Sequence, residues 1–175
     1  MSETQDPSFE PLIPNVTADE LAETITNFLN NGKTLRELKG LTRENMEAVY
    51  TVAYNAYNGG NLEQADKVFQ FLCYFDHFEK KHWLGLAATR QMQKNYTGAV
   101  DAYSFAALLD INDPQIPMQA ADCHLAMGNR QAAHSGYTAA EMFSGDRPEH
   151  QTVKARAQAM LEVLGSVPVA AEARP

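Results

Sequence analysis

Positive charge is scarce in this chain. Fourteen Lys and Arg residues stand against twenty-two Asp and Glu residues, giving a net charge of -8 over 175 residues. A general nucleic-acid binder needs a positive surface to displace the counterions of phosphates, so that class is set aside. An acidic surface suits a soluble protein, or one that holds a sticky or basic partner in solution. Cysteine is scarcer still. Cys73 and Cys123 are the only two, too few for a disulfide framework, and they read as reduced thiols of a cytoplasmic protein. No run of 18 apolar residues occurs, so no segment reads as a membrane-spanning helix. The opening residues, MSETQDPSFEPLIPNVT, lack the basic and apolar regions of a secretory signal. What the chain does have is ordinary: 45% hydrophobic residues and 9% aromatics, enough for one domain with tails. The information lies in where they fall.

The two ends differ from the middle. Pro7, Pro11 and Pro14 recur every three or four residues among polar neighbours, which predicts a disordered lead over 1–16. Thr17 and Glu20 form a capping box, and Leu21, Ile25, Phe28 and Leu29 follow at helical spacing up to Asn31-Gly32. A helix is therefore expected over 17–31. Thr34 to Leu38 offers one further short turn before Gly40. At the other end, Arg147-Pro148-Glu149 reads as a helix start. Val153, Ala157, Met160, Leu161 and Leu164 make its apolar stripe, and Gly165 is expected to end it. The remainder, 165–175, reads as a flexible tail.

The middle repeats itself. Ala65, Ala99 and Ala133 recur at one fixed interval. So, at the same interval, do Phe69, Tyr103 and Tyr137; Asn61, Asn95 and Asn129; Gly60, Lys94 and Gly128; and Leu72, Ala106 and Ala140. Paired amphipathic stretches lie between these marks, at about 47–58 and 62–75, 80–92 and 96–109, and 114–127 and 130–143. Two helices in a unit of about 34 residues is the period of the tetratricopeptide (TPR) repeat. The fold class expected is all-α: three tandem TPR pairs at 46–79, 80–113 and 114–147, in a short superhelix with a concave groove. A solenoid exposes apolar ends, and the 17–31 and 148–164 helices would cap them.

Each repeated position has a packing reason. The three alanines let crossing helices approach closely, and the aromatics one turn later fill the gap toward the next pair. Gly60 and Gly128 supply turns without a Cβ penalty. Lys94 lacks that freedom, so the second turn is expected to differ slightly. Trp83, Val49 and Pro117 share one position on the three first helices, Pro117 being tolerated in a first turn.

Little in the sequence carries chemistry. Cys73, His77 and His82 are close, but zinc would need a fourth ligand and no second Cys/His pair has zinc spacing; a packing cysteine is the better reading. Cys123 and His124 point about 100° apart on a helix, poor geometry for a nucleophile and its base. Asp110 and Asp113 look calcium-like but lack the other loop ligands, so a turn and helix cap is preferred. Gly-rich phosphate loops, Gly-x-Ser-x-Gly and His-Glu-x-x-His are missing. No enzyme activity, cofactor or metal is expected.

The groove remains. In a TPR stack the first helix of each pair lines the concave face. Tyr50, Tyr54 and Tyr57 stand at i, i+4 and i+7, on one stripe. The same face carries Leu84, Ala88 and Gln91 in the second repeat, and Met118, Asp122 and Leu125 in the third. Val49, Val52, Ala53 and Ala56 take the core-facing slots of the first helix, which leaves the tyrosines for the groove. Such a face suits an extended, mostly apolar peptide. It lacks the Lys, Arg and Asn that a carboxylate clamp for acidic C-termini requires.

The run Gly32-Lys33-Thr34-Leu35, then YTVAYNAY (50–57) and ADKVFQFLCYFDHF (65–78), followed by WLGLAATRQ (83–91), DAYSFAALLDINDP (101–114) and PMQAADCHLAMGN (117–129), resembles one family. These segments are similar to the class II chaperones of type III secretion translocators, the LcrH/SycD family, over about 32–143. The resemblance implies a non-catalytic cytoplasmic chaperone of a Gram-negative bacterium. It implies as partners two hydrophobic translocator proteins, held soluble and apart before export, with an extended cargo segment in the groove. The cargo-contacting aromatics carry over onto Tyr50, Tyr54, Tyr57 and Tyr103. It also makes 17–31 a candidate homodimer contact. Leu62 departs from the aromatic that several relatives have there, and the proline-rich lead has no clear family counterpart.

Overall fold

Asparagine starts the second helix of every pair. The side-chain oxygens of Asn61, Asn95 and Asn129 accept the backbone N–H of Gln64, Gly98 and Ala132, at 3.3, 3.1 and 3.1 Å. Each thereby satisfies one of the unpaired donors of a helix N-terminus. The residue just before each asparagine is equally repetitive: Gly60, Lys94 and Gly128 all lie in the left-handed region, with φ of 75, 63 and 78°. In each turn the asparagine N–H reaches back to a carbonyl of the preceding helix at 2.9 Å.

The second turn is expected to differ because Lys94 carries a Cβ. It does not differ. The same closing hydrogen bond forms from Asn95 to Arg90, and the lysine takes the strained conformation. A left-handed non-glycine residue costs about 1–2 kcal/mol. Lys94→Gly is therefore expected to stabilise the fold by about 1 kcal/mol and to raise Tm by about 2–4 °C, read by thermal melting.

The computed structural model describes residues 32–166. The expected lead at 1–16, the helix at 17–31 and most of the tail at 165–175 lie outside the described residues. Within them the α-helices run α1 (Leu35–Leu38), α2 (Arg43–Asn58), α3 (Leu62–Phe75), α4 (Lys80–Met92), α5 (Tyr96–Leu109), α6 (Gln115–Ala126) and α7 (Arg130–Ser144). A 3-10 turn at Pro148–His150 leads into α8 (Gln151–Ser166). No strand occurs among the described residues. Helix α2 begins at Arg43 rather than 47, because Thr42 and Asn45 cap each other reciprocally, at 3.2 and 2.9 Å. Helix α8 runs through Gly165 to Ser166; a single glycine weakens a helix without ending it.

The fold is a stack of three helix pairs, α2/α3, α4/α5 and α6/α7, each joined by the asparagine turn, with α8 covering the last pair. Ala65, Ala99 and Ala133 are fully buried, as are Leu72, Ala106 and Ala140. Phe69, Tyr103 and Tyr137 are buried beside them. One apolar cluster spans the first two pairs and reaches into the third. A second joins the third pair to Val153, Ala157 and Leu164 of α8. Val52, expected in the core, is 50% exposed. Only Ala53 among the four expected core-facing residues is fully buried. The reason is that α2 is the first long helix of the described stack, and its outer face meets no described helix pair before it.

Candidate peptide-binding groove

The tyrosine stripe of α2 meets α4 across a cleft of about 230 Å³. Tyr50, Tyr54, Tyr57, Leu84 and Ala88 line it, together with Phe69, Lys81 and Gly85. The floor depends on a glycine. A Cβ at Gly85 would lie 2.2 Å from Phe69 Cε1, so the absence of a side chain there lets the Phe69 ring seat beneath the tyrosines. Tyr50 meets Phe69 edge-on at 5.8 Å and stacks on Tyr54 at 6.2 Å, with 14° between the planes. Tyr54 is half exposed. Lys81 stands over the Tyr50 ring, 4.8 Å from its centroid, and pairs with Glu47. Burial raises the Tyr50 hydroxyl above its ordinary pKa, while Lys81 works in the opposite direction. The cleft is apolar and aromatic, with three tyrosine hydroxyls and one cation, Lys81, among its lining residues.

The other expected groove residues are placed differently. Gln91 is occupied: its Oε1 accepts from the Tyr103 hydroxyl at 2.8 Å. Tyr103 itself is 3% exposed, so it forms the wall behind Gln91 and offers almost no open surface. Met118 is 0% exposed. It belongs to the cluster shared by α7 and α8 and has no free surface for a peptide. Leu125 packs against the same cluster and is only half buried. Asp122 is not a bare acid. It accepts from the Tyr137 hydroxyl at 2.9 Å and from Arg156 at 2.6 Å.

Spacing along the first helices singles out neither Arg156 nor Lys81. Arg156 is legible in principle, since it stands one repeat period beyond Asp122 and continues the period into α8. Lys81 is legible in the same way, since it stands one repeat period beyond its partner Glu47; its place over the Tyr50 ring comes from the packing of α4 on α2. A larger hollow of about 430 Å³ lies between α3 and α4, lined by Cys73, Tyr74, His77, Trp83 and Arg90 among others. It is the more open of the two and lies apart from the tyrosine stripe.

The tetratricopeptide repeat family matches residues 46–77 and 81–113. Low calcium response locus protein H of Yersinia pseudotuberculosis is 38% identical over 138 residues, covering 79% of this chain and 82% of the relative. The chain belongs to the type III secretion translocator chaperones, the LcrH/SycD family. Its fold matches that of PcrH, from Pseudomonas aeruginosa, solved in complex with the chaperone binding region of PopD. That match has a TM-score of 0.69 at 40% identity, and covers 72% of this chain and 95% of that one. SycD of Yersinia enterocolitica, solved with a peptide of the translocator YopD, matches with a TM-score of 0.68 at 37% identity, over 71% and 95% of the two chains. SycD has also been solved as an alternative dimer.

The relatives in this family are chaperones, and the polar clusters of this member are engaged in architecture. Cys73 is buried, with its thiol pushed up to about 12 by burial; Cys123 is likewise buried and pushed up to about 11. The His77 carbonyl accepts from Trp83 Nε1 at 2.8 Å. Asp110 and Asp113 are both held by Lys80, at 2.8 and 2.9 Å. Each also caps a backbone N–H of the turn, that of Asn112 or Gln115.

His82 carries a pH consequence. It is buried behind Tyr50, with Nδ1 3.3 Å from the Asp76 carbonyl. Burial lowers its pKa below the ordinary value of 6.5; Asp76 and Glu79 raise it and Lys81 lowers it further. The folded state therefore prefers neutral His82. Its contribution is intact above pH 6.5 and is lost as pH falls from there through the folded value. Tm measured between about pH 7 and about pH 5 should fall less steeply in His82→Gln than in the parent.

Proposed function

We propose that this chain is a chaperone of a type III secretion system that binds hydrophobic translocator proteins and does no chemistry of its own. It acts in the cytoplasm of a Gram-negative bacterium. An extended cargo segment lies in the concave groove, and the complex keeps the translocators soluble and apart before export. The observation that carries this reading is the aromatic cleft of Tyr50, Tyr54 and Tyr57 against Leu84 and Ala88. It offers apolar burial and hydroxyls to peptide carbonyls. Its setting is a fold whose relatives are seen holding translocator segments. Gln91 and Tyr103 hold each other at the next turn of the groove face, and Met118, Asp122 and Leu125 continue that face into the third pair, where Met118 is buried. The excess of acidic residues supplies a repulsive exterior for a complex with an aggregation-prone cargo. A homodimer through residues 17–31 is part of the same proposal.

The test is co-expression with the large hydrophobic proteins encoded beside this gene, followed by co-purification. Recovery of a stoichiometric complex supports the reading. Failure to recover one from soluble lysate rejects it.

One observation favours a second reading. Tyr74, Leu108 and Met142 occupy equivalent positions of successive repeats, and are 67, 76 and 66% exposed. Phe71 and Phe105 lie beside the first two and are also exposed. This apolar ridge on the second helices would suit a scaffold that joins folded partners through its convex face. Under that reading, changes at the groove tyrosines leave partner binding intact and Leu108→Asp abolishes it.

A further inference from the structure

The groove and one stretch of the sequence share a chemistry. The cleft of three tyrosines, Leu84 and Ala88 accepts extended, uncharged, apolar chain. Aromatic-lined grooves bind polyproline II segments well, because proline has already fixed φ and little entropy is left to lose. Residues 7–14 read Pro-Ser-Phe-Glu-Pro-Leu-Ile-Pro. Pro11-Leu12-Ile13-Pro14 is a Pro-x-x-Pro unit, and at three residues per turn its two prolines fall on one edge. Phe9, Leu12 and Ile13 supply large apolar side chains. The single charge in the segment is Glu10, and the cation at the cleft rim is Lys81.

We infer that residues 7–14 occupy the groove of their own chain whenever no other peptide holds it. The inference rests on the groove reading above and adds a competitor to it. The path of the chain supports it. Just after the described chain starts at Gly32, Arg36 is tied to Asp76 at 3.0 Å. The Asp76 carbonyl meets His82 at 3.3 Å, and the His82 ring lies 6.0 Å from that of Tyr50. The described chain therefore begins near the α3–α4 connection, whose His82 backs the cleft behind Tyr50. Residues 15–31 link the segment to Gly32, and a chain of that length can reach on the order of 50 Å.

The consequence is a tethered competitor. Cargo affinity falls by the fraction of time the groove is open, which makes release easier and rebinding of the chain's own segment immediate. The same occupancy shields the tyrosines from unspecific apolar contact.

Two measurements on the full chain test this. Cys73 and Cys123 are buried with raised thiols, so Ser8→Cys introduces the one readily labelled cysteine. A nitroxide placed there should broaden the nuclear magnetic resonance signals of Tyr50, Tyr54 and Tyr57 and spare Tyr74. No broadening at the three groove tyrosines overturns the inference, and so does broadening centred on Tyr74. Broadening that appears only when label and observed tyrosines are on different chains also overturns it, since the occupant is then a second copy. In the second measurement, a fluorescent peptide of residues 5–16 is titrated into the parent and into the variant Phe9→Asp/Leu12→Asp/Ile13→Asp. It should bind the variant about 3–10-fold more tightly, because the groove is freed, and Tyr54→Ala in the same variant should remove the binding. Equal affinity for parent and variant overturns the inference. If translocator capture still depends on Tyr54 in that case, only self-occupancy fails and the groove reading stands.

Discussion

Tyr54→Ala lowers capture of a co-expressed translocator by about tenfold or more, and leaves the helical circular dichroism unchanged. The size follows from the place of the ring. Tyr54 is half exposed, stacks on Tyr50 and lines the cleft. Its removal deletes contact area for a peptide while little of the core is lost. A central tyrosine of an interface is worth about 2 kcal/mol, which is more than a tenfold change in affinity. Tyr50→Glu should act more strongly, since it sets a carboxylate beside Phe69 on the floor of an apolar cleft. It also carries a stability cost, because Tyr50 packs against Phe69 and His82. Affinity should therefore be compared on the folded fraction. Capture that survives both substitutions would sink the groove assignment and move attention to the ridge of Tyr74, Leu108 and Met142.

Gly85→Ala destabilises the protein and closes the cleft from below. In an open helix this change stabilises by up to about 1 kcal/mol. Here the new Cβ would sit 2.2 Å from the Phe69 ring, and Phe69 is 1% exposed, with nowhere to swing. Overpacking of this kind costs about 1–3 kcal/mol, so Tm should fall by several degrees on a chain of this size. Peptide capture should weaken with it, because the displaced ring moves into the tyrosine stripe. Phe69→Leu added to Gly85→Ala should recover part of the loss, a coupling that a double-mutant cycle reads directly. A rise in Tm on Gly85→Ala would show that the ring moves freely.

Much of the fold is legible because the repeat writes the same physical demand three times. Alanine recurs where two backbones cross, and an aromatic recurs one turn later. Asparagine recurs where a helix must begin. Those demands are local or involve one neighbouring helix, so a single sequence displays them as a period. The Tyr50, Tyr54 and Tyr57 stripe is legible for the same reason, since i, i+4 and i+7 share a helix face in any context. Among the expectations that fail, two show how a closing hydrogen bond or an end effect decides the outcome. Lys94 follows the turn of its glycine counterparts because the closing hydrogen bond outweighs its own preference. Val52 is exposed because burial needs a partner, and periodicity reports only which face could have one.

The sequence by itself determined the three helix pairs, their asparagine starts and the tyrosine face, since each depends on spacing along one or two helices. Only the tertiary structure decided which face residues are open. Tyr103 and Met118 are expected in the groove yet lie in the interior, because neighbouring helices close over them. Gln91 of α4 takes the Tyr103 hydroxyl, and the cluster of α7 and α8 takes Met118. Asp122 became half of an ion pair, and Gly85 became the floor of the cleft, through contacts with Arg156 and Phe69. Those partners stand on other helices, and no spacing rule within one helix brings them together.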